Sequence, residues 1–271
     1  MDKLLYNNSN MEYTEDDNTN PTLEFPTHNN IRIKHHELFT YQKSDNVIDN
    51  EDIYDVLQEQ EKSVYILCDG ASESFAAKEW AKIVAENFKE DQNISDMWIK
   101  DIISKYNEKY DYNNLSWSKQ SSFLRGSFCT LLACTYIQGE SYVSITAIGD
   151  STVFKILKIE EKYKVIDSFP YKTPDKYRCR PELISTKHDD NIFIQCDCID
   201  KFRKNIEISK DTIIVLATDA LSEWIMTHDA SDDLAKLLEI KYSDEFTTLI
   251  DTHRNNKSIK IDDTTFFKIT F

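Results

Sequence analysis

Several acidic residues stand where apolar runs of the chain begin or end, which is where a strand presents side chains at the rim of its sheet. In chain order they are Asp69 near the end of the run 64–70, Asp150 after 144–149, Asp219 after 212–218, and Asp262 and Asp263 before 265–271. In an antiparallel sheet the start of one strand lies beside the end of its neighbour. We therefore expect these carboxylates to gather at one end of a sheet.

Two further acids precede the run 64–70 in the sequence. Glu51 and Asp52 close a dense polar stretch, 45–52, and a hairpin-like return through residues 55–62 would place them beside Asp69. The alternative is that this stretch is a solvated turn. An Asp-Gly pair such as Asp69-Gly70 is likewise common in turns that carry no chemistry.

A nest formed by Glu51, Asp69, Asp219 and Asp262 would be strongly self-repelling, because buried carboxylates without compensation cost several kcal/mol each. Such acids either take up protons or hold cations. Ligands that are all oxygen favour Mg²⁺ or Mn²⁺, and two such ions about 3.5 to 4 Å apart can activate a water and aim it at phosphorus. The sequence contains no G-x-S-x-G, G-x-x-x-x-G-K-[ST] or H-E-x-x-H motif that would supply a different chemistry.

The composition of the chain limits the classes of partner that we expect the protein to bind. The 271 residues include 32 basic and 48 acidic side chains, and the net charge of -16 repels nucleic acid and anionic membranes. No apolar run is long enough to span a bilayer, and the amino terminus lacks the apolar core of a signal peptide, so we expect a cytoplasmic protein. The simplest expectation is a monomer with reduced cysteines, since half of the six lie in apolar runs.

The elements that must position the acids follow from hydrophobic periodicity. The pattern predicts a first strand in 31–42, long strands over 127–137 and 141–157, and a further strand at 163–166. It predicts amphipathic helices over 74–90, capped by Ser72 or Ser74, and over 93–109, capped by Asn93. Three more helices are predicted after Asp219, around residues 220–225, 234–238 and 243–250.

Burial on both faces of the strands requires a layer on each side. We therefore predict an α+β fold in which two antiparallel sheets stack face to face and helices cover both outer faces. This domain would comprise residues 31–271. Residues 1–30, rich in Asn, Thr and acids, are predicted to be a flexible or loosely packed arm.

The segment 168–208 loses all periodicity and is predicted to be a lid or recognition loop. Its basic residues stand out in an acidic protein and could meet a phosphorylated partner, or could simply be solvated. They are Lys172, Lys176, Arg178 and Arg180.

The order of the acidic motifs resembles that of the metal-dependent, type-2C protein serine/threonine phosphatases, the PPM family. The match runs from about residue 30 to the carboxyl terminus. The motifs are Asn50-Glu51-Asp52, Leu67-Cys68-Asp69-Gly70, Gly126-Ser127, Ala147-Ile148-Gly149-Asp150-Ser151, Leu216-Ala217-Thr218-Asp219-Ala220-Leu221 and Asp262-Asp263-Thr264-Thr265. The run 69–74, followed by Glu79-Trp80-Ala81, is similar to a bacterial branch of that family.

The resemblance implies a site that holds two Mn²⁺ or Mg²⁺ ions and a third, weaker one. Catalysis would centre on Asp52, Asp69 and Asp219. The implied roles are Asp69 as a bridge between two ions, Glu51 and the Gly70 carbonyl as ligands of one, Asp219 and Asp262 as ligands of the other, Asp150 at the third ion, and Asp52 orienting metal-bound water.

The chain departs from the family pattern at the substrate side. Relatives often carry an arginine shortly before the Asn-Glu-Asp motif, where the nearest cation here is Lys43. We assign the substrate phosphate to Lys43, Arg178 and Arg180. Ala71 and Ser72 stand where many relatives have a histidine or a glycine pair, so no histidine is available to protonate the leaving oxygen.

The sequence therefore predicts a metal-dependent phosphatase that hydrolyses phosphoserine or phosphothreonine in a protein substrate. The alternative is a catalytically silent member of the fold that serves as a binding or regulatory module. A third interpretation, in which the acids are solvated turns of an unrelated sandwich protein, predicts that Asp69 and Asp219 lie far apart.

Overall fold

The computed structural model describes residues 31–44, 50–196 and 198–271. The predicted arm, 1–30, and most of the acidic stretch before Asn50 lie outside the described residues. The strands are β1 (His35–Tyr41), β2 (Asp52–Gln58), β3 (Lys62–Asp69), β4 (Phe128–Cys129), β5 (Leu131–Ile137), β6 (Tyr142–Ile148), β7 (Thr152–Ile159), β8 (Lys162–Phe169), β9 (Ile184–Ser185), β10 (Arg203–Glu207), β11 (Ile213–Ala217) and β12 (Thr264–Thr270). The helices are α1 (Ala77–Glu90), α2 (Asp96–Asn107), α3 (Trp117–Arg125), α4 (Ile192–Gln195), α5 (Asp219–Thr227), α6 (Asp232–Glu239) and α7 (Ser243–Asn255).

The strands form two five-stranded antiparallel sheets. The first sheet has the order β1-β12-β11-β7-β8, and the second has the order β10-β6-β5-β3-β2. A short pair, β4 with β9, stands beside them. No helix among the described residues is both long enough and apolar enough to cross a membrane.

Three apolar layers hold the sheets and helices together. One lies between the sheets and includes Tyr65, Leu67 and Phe267. A second joins the second sheet to α1 and α2, and a third joins the first sheet to α5, α6 and α7. This is the predicted α+β sandwich, and the prediction of its layers is confirmed.

Strand β3 shows why the run 64–70 is continuously apolar. Its alternating side chains face two different layers, with Val64 and Ile66 toward the helices and Tyr65 and Leu67 toward the other sheet. All four are fully buried. Each large apolar side chain buried in this way contributes about 1.5 to 3 kcal/mol.

The predicted long strand 141–157 is wrong, because the chain changes sheets in its middle. Strand β6 belongs to the second sheet and β7 to the first. The change occurs at Gly149, which has φ of +107°, a conformation that side chains with a Cβ rarely adopt. A Cβ at this position would also lie 2.6 Å from Thr130 Cγ2. Apolar character continues across the break because both strands are buried.

The predicted helix caps are also wrong. Helix α1 begins at Ala77 after Ala76, which has φ of 47°, and no side chain caps it. Ser74 Oγ instead donates to the Ala71 carbonyl, 2.7 Å away. Helix α2 is capped by Ser95, whose hydroxyl accepts from the Trp98 N–H. Several short polar residues precede each helix, and only the path of the backbone selects among them.

The segment 168–208 is more ordered than its composition predicts. It contains β9, α4 and β10, with 3₁₀ turns at Pro174–Arg178, His188–Asp190 and Cys198–Phe202. Strand β10 pairs with β6 at the edge of the second sheet. Helix α3 was not predicted from the sequence, since none of its residues is buried and its apolar pattern is weak.

Candidate functional site

The acids singled out in the sequence come together at one end of the sandwich. Asp52 opens β2 and lies directly opposite Asp69, the last residue of β3. Asp219 follows β11, whose end pairs with the first half of β12, and Asp262 lies two residues before β12 begins. The third interpretation of the sequence, in which Asp69 and Asp219 lie far apart, is therefore wrong.

The crossing between the sheets brings a fifth acid, Asp150, to the same place. Asp150 follows Gly149 between β6 and β7. The tight packing of Gly149 on Thr130 matters here, because Thr130 also fixes the end of β3. Its hydroxyl accepts from the Asp69 N–H at 2.9 Å, and its own N–H donates to the Asp69 carbonyl at 2.8 Å. The sheet crossing and the position of Asp69 thus depend on one residue.

Asp52, which is buried, and Asp69, which is partly exposed, form the centre of the group. Burial raises the pKa of Asp69 well above its usual range, and the charges of Asp52 and Asp219 raise it further. Burial likewise raises the pKa of Asp52, with added repulsion from Asp263 and Asp219. Asp52 Oδ2 accepts from Thr218 Oγ1 at 3.4 Å, whereas its Oδ1 meets no hydrogen-bond donor among the described residues. A buried carboxylate oxygen in this state favours a proton or a cation.

Asp150 and Asp219 extend the group toward the surface. Burial raises the pKa of Asp150 to about 6, and the charge of Asp219 contributes. Asp219 is the first residue of α5, where the helix dipole favours a negative charge.

Two lysines contact these acids. Lys43 Nζ lies 2.7 Å from Glu51 Oε2 and 3.5 Å from Asp263 Oδ2. Lys260 Nζ lies 2.8 Å from Asp219 Oδ2 and 2.9 Å from Asp262 Oδ2. Partial burial opposes the charge on Lys43, but the hydrogen bond to Glu51 and the charge of Asp263 raise its pKa above the usual range. Both ammonium groups are therefore charged at neutral pH.

The acids outnumber the lysines, and the excess negative charge is large. Among the residues that the structure describes, two ammonium groups stand against seven carboxylates. The seven are Glu51, Asp52, Asp69, Asp150, Asp219, Asp262 and Asp263. The lysines neutralise only part of this charge, so divalent cations remain favourable.

The two neighbouring acids before β12 have different environments. Asp263 Oδ1 accepts from the Lys43 N–H at 2.8 Å, and its Oδ2 accepts from the Glu51 N–H at 2.9 Å. Asp263 is 3% exposed. Its two hydrogen bonds connect the start of β12 to Lys43 and Glu51. The Asp262 carboxylate faces the two lysines. Their adjacency in the sequence gave no way to assign these two roles.

Lys260 and Arg254 also belong to the site, and the sequence did not predict either of them. Arg254, in α7, donates from Nη1 to the Gln42 carbonyl at 2.9 Å and from Nη2 to the Asp262 carbonyl. It therefore fixes the backbone on both sides of the acids. Both residues lie in otherwise unremarkable polar stretches, and no sequence motif marks them.

Gly70 lies where the end of β3 meets the start of α1. Its N–H donates to the Glu51 carbonyl at 3.3 Å. A Cβ here would lie 2.9 Å from the backbone carbon of Ala77, so the helix could not pack as closely against a larger residue.

The three predicted phosphate-binding residues do not all lie in the same place. Lys43 lies within the acid group, whereas Arg178 and Arg180 are exposed and form no ion pair with these acids in the described chain. The neighbouring Tyr177 hydrogen-bonds Thr152 Oγ1 at 2.7 Å. Burial raises the pKa of Tyr177, and the charges of Asp150 and Asp219 add to the shift. The basic segment therefore lies beside the acids.

No protein-family model matches the chain, and no curated protein sequence matches it either. Solved structures do match it over nearly its whole length. The serine/threonine phosphatase Stp1 from Staphylococcus aureus is 17% identical, with coverage of 89% of this chain and 95% of that chain and a TM-score of 0.57. The PstP/Ppp phosphatase of Mycobacterium tuberculosis is 14% identical, with coverage of 88% and 98% and a TM-score of 0.53.

A further match is the catalytic domain of the phosphatase PstP in complex with two manganese ions. It is 14% identical, covers 87% of this chain and 97% of that chain, and has a TM-score of 0.52. At these identities the likeness concerns the fold. The chain therefore has the fold of the bacterial PPM-type serine/threonine phosphatases, and the resemblance carried by its motifs is confirmed at that level.

Proposed function

We propose that the protein is a divalent-metal-dependent protein serine/threonine phosphatase. The observation that carries this proposal is the pair of buried Asp52 and partly exposed Asp69, close to Asp219, in which Asp52 Oδ1 meets no donor in the described chain. Such an arrangement is costly for a protein that uses these acids only for folding.

The donor set fits hard cations. The residues that would hold them are Glu51, Asp69, the Gly70 carbonyl, Asp150, Asp219 and Asp262. Carboxylate and carbonyl oxygens suit Mn²⁺ or Mg²⁺ better than softer ions. Bound there, two such ions would supply an activated water and neutralise charge on the phosphate. The relative with two manganese ions supports this number.

The chain's own groups have distinct tasks in this proposal. Asp52 Oδ1 would accept a hydrogen bond from the attacking water and hold it in line. Lys43 is part-exposed, with 26% of its side chain accessible, and would exchange Glu51 for a phosphate oxygen of the substrate. Arg178 and Arg180, on the basic segment beside the acids, would contact the phosphoprotein around the phosphate.

The test is hydrolysis of a phosphothreonine peptide with Mn²⁺ present. The expected result is activity in the wild-type protein that is lost in Asp69→Asn and in Asp219→Asn. Asp211→Asn is the matched control, because Asp211 is an exposed acid at the opposite end of β11 from Asp219. Activity that survives unchanged in Asp69→Asn protein would overturn the proposal.

The second candidate is a catalytically silent module of the same fold. The two lysines favour it, since Lys43 and Lys260 already pair with Glu51, Asp219 and Asp262 and could serve in place of metal ions. Calorimetry separates the candidates. Uptake of Mn²⁺ that is lost in Asp219→Asn supports the enzyme, whereas no heat of binding at millimolar Mn²⁺ supports the silent module.

A further inference from the structure

A second group of potential metal ligands lies at the other end of α5. His228 follows the last residue of α5, Asp233 lies in the first turn of α6, and His253 lies in the last turn of α7. Their ligand atoms all lie within 4.8 Å of one another. His253 Nε2 is 4.0 Å from Asp233 Oδ2. Three helices that are separate in sequence thus bring two imidazoles and a carboxylate together.

The hydrogen bonds of the imidazoles determine which nitrogen is available. His228 Nδ1 lies 2.9 Å from the Trp224 carbonyl, which can only accept, so this nitrogen carries the proton. His253 Nδ1 lies 2.7 Å from Ser258 Oγ, and that hydroxyl can donate to the His253 carbonyl at 3.4 Å. Assigned in this way, both rings are Nδ1–H tautomers with a free Nε2 lone pair.

This pattern matches the surroundings of metal-binding histidines, which usually donate the other ring N–H to a carbonyl or similar acceptor. The rings are also fixed by packing. The His228 ring stacks on Trp224 with 4.4 Å between centroids, and His253 meets the same indole edge-on at 4.8 Å. Both ligands are therefore held in place before any ion arrives.

The charges of the group also suit a cation. Burial lowers the pKa of His253, although Asp233 opposes the shift, so this imidazole is neutral near pH 7. The hydrogen bond from Lys236 lowers the pKa of Asp233, which keeps the carboxylate charged. Asp233 and His253 also line a surface groove of about 680 Å³ between α6 and α7, which gives an ion a path to the group.

We propose that His228, Asp233 and His253 form a binding site for a zinc-class transition-metal ion, separate from the acidic centre. Two imidazole nitrogens and one carboxylate oxygen are a typical set for Zn²⁺, with a fourth position left for water or another ligand. Tetrahedral ligands at about 2.0 to 2.1 Å from zinc lie about 3.3 Å apart. The 4.0 Å separation of His253 and Asp233 therefore has to shrink by less than 1 Å, and a separation of 4.8 Å by about 1.5 Å.

Occupation of this site would join α5, α6 and α7, and two of these helices carry residues that contribute to the acidic centre. Helix α5 begins with Asp219, and His253 directly precedes Arg254, whose guanidinium holds the Asp262 carbonyl. The ion would therefore stabilise the helical layer behind the first sheet. This inference does not rest on the proposed phosphatase activity.

The experiment is a titration of the full chain with Co²⁺, a spectroscopic substitute for Zn²⁺, in excess Mg²⁺ to occupy the acidic centre. We expect one equivalent of Co²⁺ to give the intense visible absorption bands of a tetrahedral complex. These bands should disappear when Zn²⁺ displaces the Co²⁺. The exposed thiols of Cys179, Cys196 and Cys198 are distinguishable, because thiolate ligation would add a strong near-ultraviolet band.

His228→Gln should weaken Zn²⁺ binding by roughly 100-fold or more, since loss of a ligand exceeds the 10- to 100-fold effect of losing a supporting group. Asp233→Asn should weaken it as well and avoids the buried His253. The matched control is His35→Gln, an exposed histidine on β1. Equal Zn²⁺ affinity in wild-type and His228→Gln protein, or no tetrahedral Co²⁺ spectrum in folded wild-type protein, would overturn the proposal.

Discussion

Helix α5 has a group of potential cation ligands at each end, and the two groups are built differently. At its amino-terminal end Asp219 joins acids from strand ends, in a partly buried all-oxygen site with far more negative than positive charge. At its carboxyl-terminal end His228 joins Asp233 and His253, which lie near the ends of other helices. The first group repels itself, whereas the second contains one carboxylate, already paired with Lys236.

The net charge of each group determines how much we expect a bound cation to stabilise it. The acidic group loses stability whenever its carboxylates are ionised and uncompensated. The histidine group needs no ion to satisfy its hydrogen bonds, because Nδ1 of each imidazole already has a partner. We therefore expect a bound cation to relieve repulsion between carboxylates at the amino-terminal end of α5. At the carboxyl-terminal end we expect it only to connect α5, α6 and α7.

The largest expected effect is a separation of activity from stability at Asp69. Asp69→Asn should lower phosphatase activity with Mn²⁺ by at least about 100-fold, since a proposed ligand is lost. It should also raise the free energy of unfolding of the metal-free protein by about 1 to 3 kcal/mol, because a carboxylate that other acids repel is replaced by a neutral amide. Peptide assays and urea denaturation in chelator measure the two effects. A destabilised Asp69→Asn protein would contradict the account of the acidic group.

The second prediction concerns pH. The pKa of Asp150 is raised from its ordinary value of 3.8 to about 6, so the folded state binds this proton more tightly than the unfolded state. Protonation of Asp150 therefore stabilises the folded state. This contribution to the free energy of unfolding is fully present below about pH 4 and is lost as the pH rises through about 6. It amounts to about 3 kcal/mol.

The measurement is urea denaturation of metal-free protein at pH 4.5 and pH 7.5, each value taken as wild type minus Asp150→Asn. Comparison with the variant removes the effects of other carboxylates. The difference should become less favourable to the wild type at the higher pH. A difference that does not change with pH would contradict the raised pKa.

The third prediction is that the two ends of α5 bind their ions independently, so that a mutation at one end abolishes the effect of one ion only. At 100 times its Kd, each of Mn²⁺ and Zn²⁺ should add about 2.7 kcal/mol to the free energy of unfolding. Asp219→Asn should abolish only the Mn²⁺ effect, and His228→Gln only the Zn²⁺ effect. The residues are about 13 Å apart along the helix, so the two effects should add within about 0.5 kcal/mol. Thermal denaturation with each ion checks this, and loss of both effects in one variant would show a single shared site.

The smallest expected effect is at Lys260. Its ammonium group competes with metal for Asp219 and Asp262, but 55% of its side chain is exposed, so the ion pair is screened by water. Lys260→Met should tighten Mn²⁺ binding by about 2- to 5-fold, corresponding to less than about 1 kcal/mol. Calorimetry would detect the change. Weaker binding in this variant would instead indicate that Lys260 supports the metal ligands.

Local pattern was enough to predict much of the acidic end of α5. Apolar runs ending on Asp69 and Asp219 predicted the strand ends, and antiparallel pairing predicted that the acids meet. The same reasoning missed the sheet change at Gly149, since the side chains on both sides of it are buried and the apolar pattern continues. It also missed strand β10 and helix α3, which bury few apolar residues.

By itself, the sequence determined the layered fold and the identity of the acids, because both depend on residue types next to apolar runs. Only the tertiary structure decided between the predicted hairpin and a solvated turn at Asp52, which lies opposite Asp69. It alone showed that Asp263 holds backbone amides while Asp262 faces the lysines, and that Lys260 reaches Asp219. The histidine group also needed the tertiary structure, because helix packing brings His228 and His253 together without a motif. Local patterns record burial, whereas contacts between distant residues depend on how the elements pack.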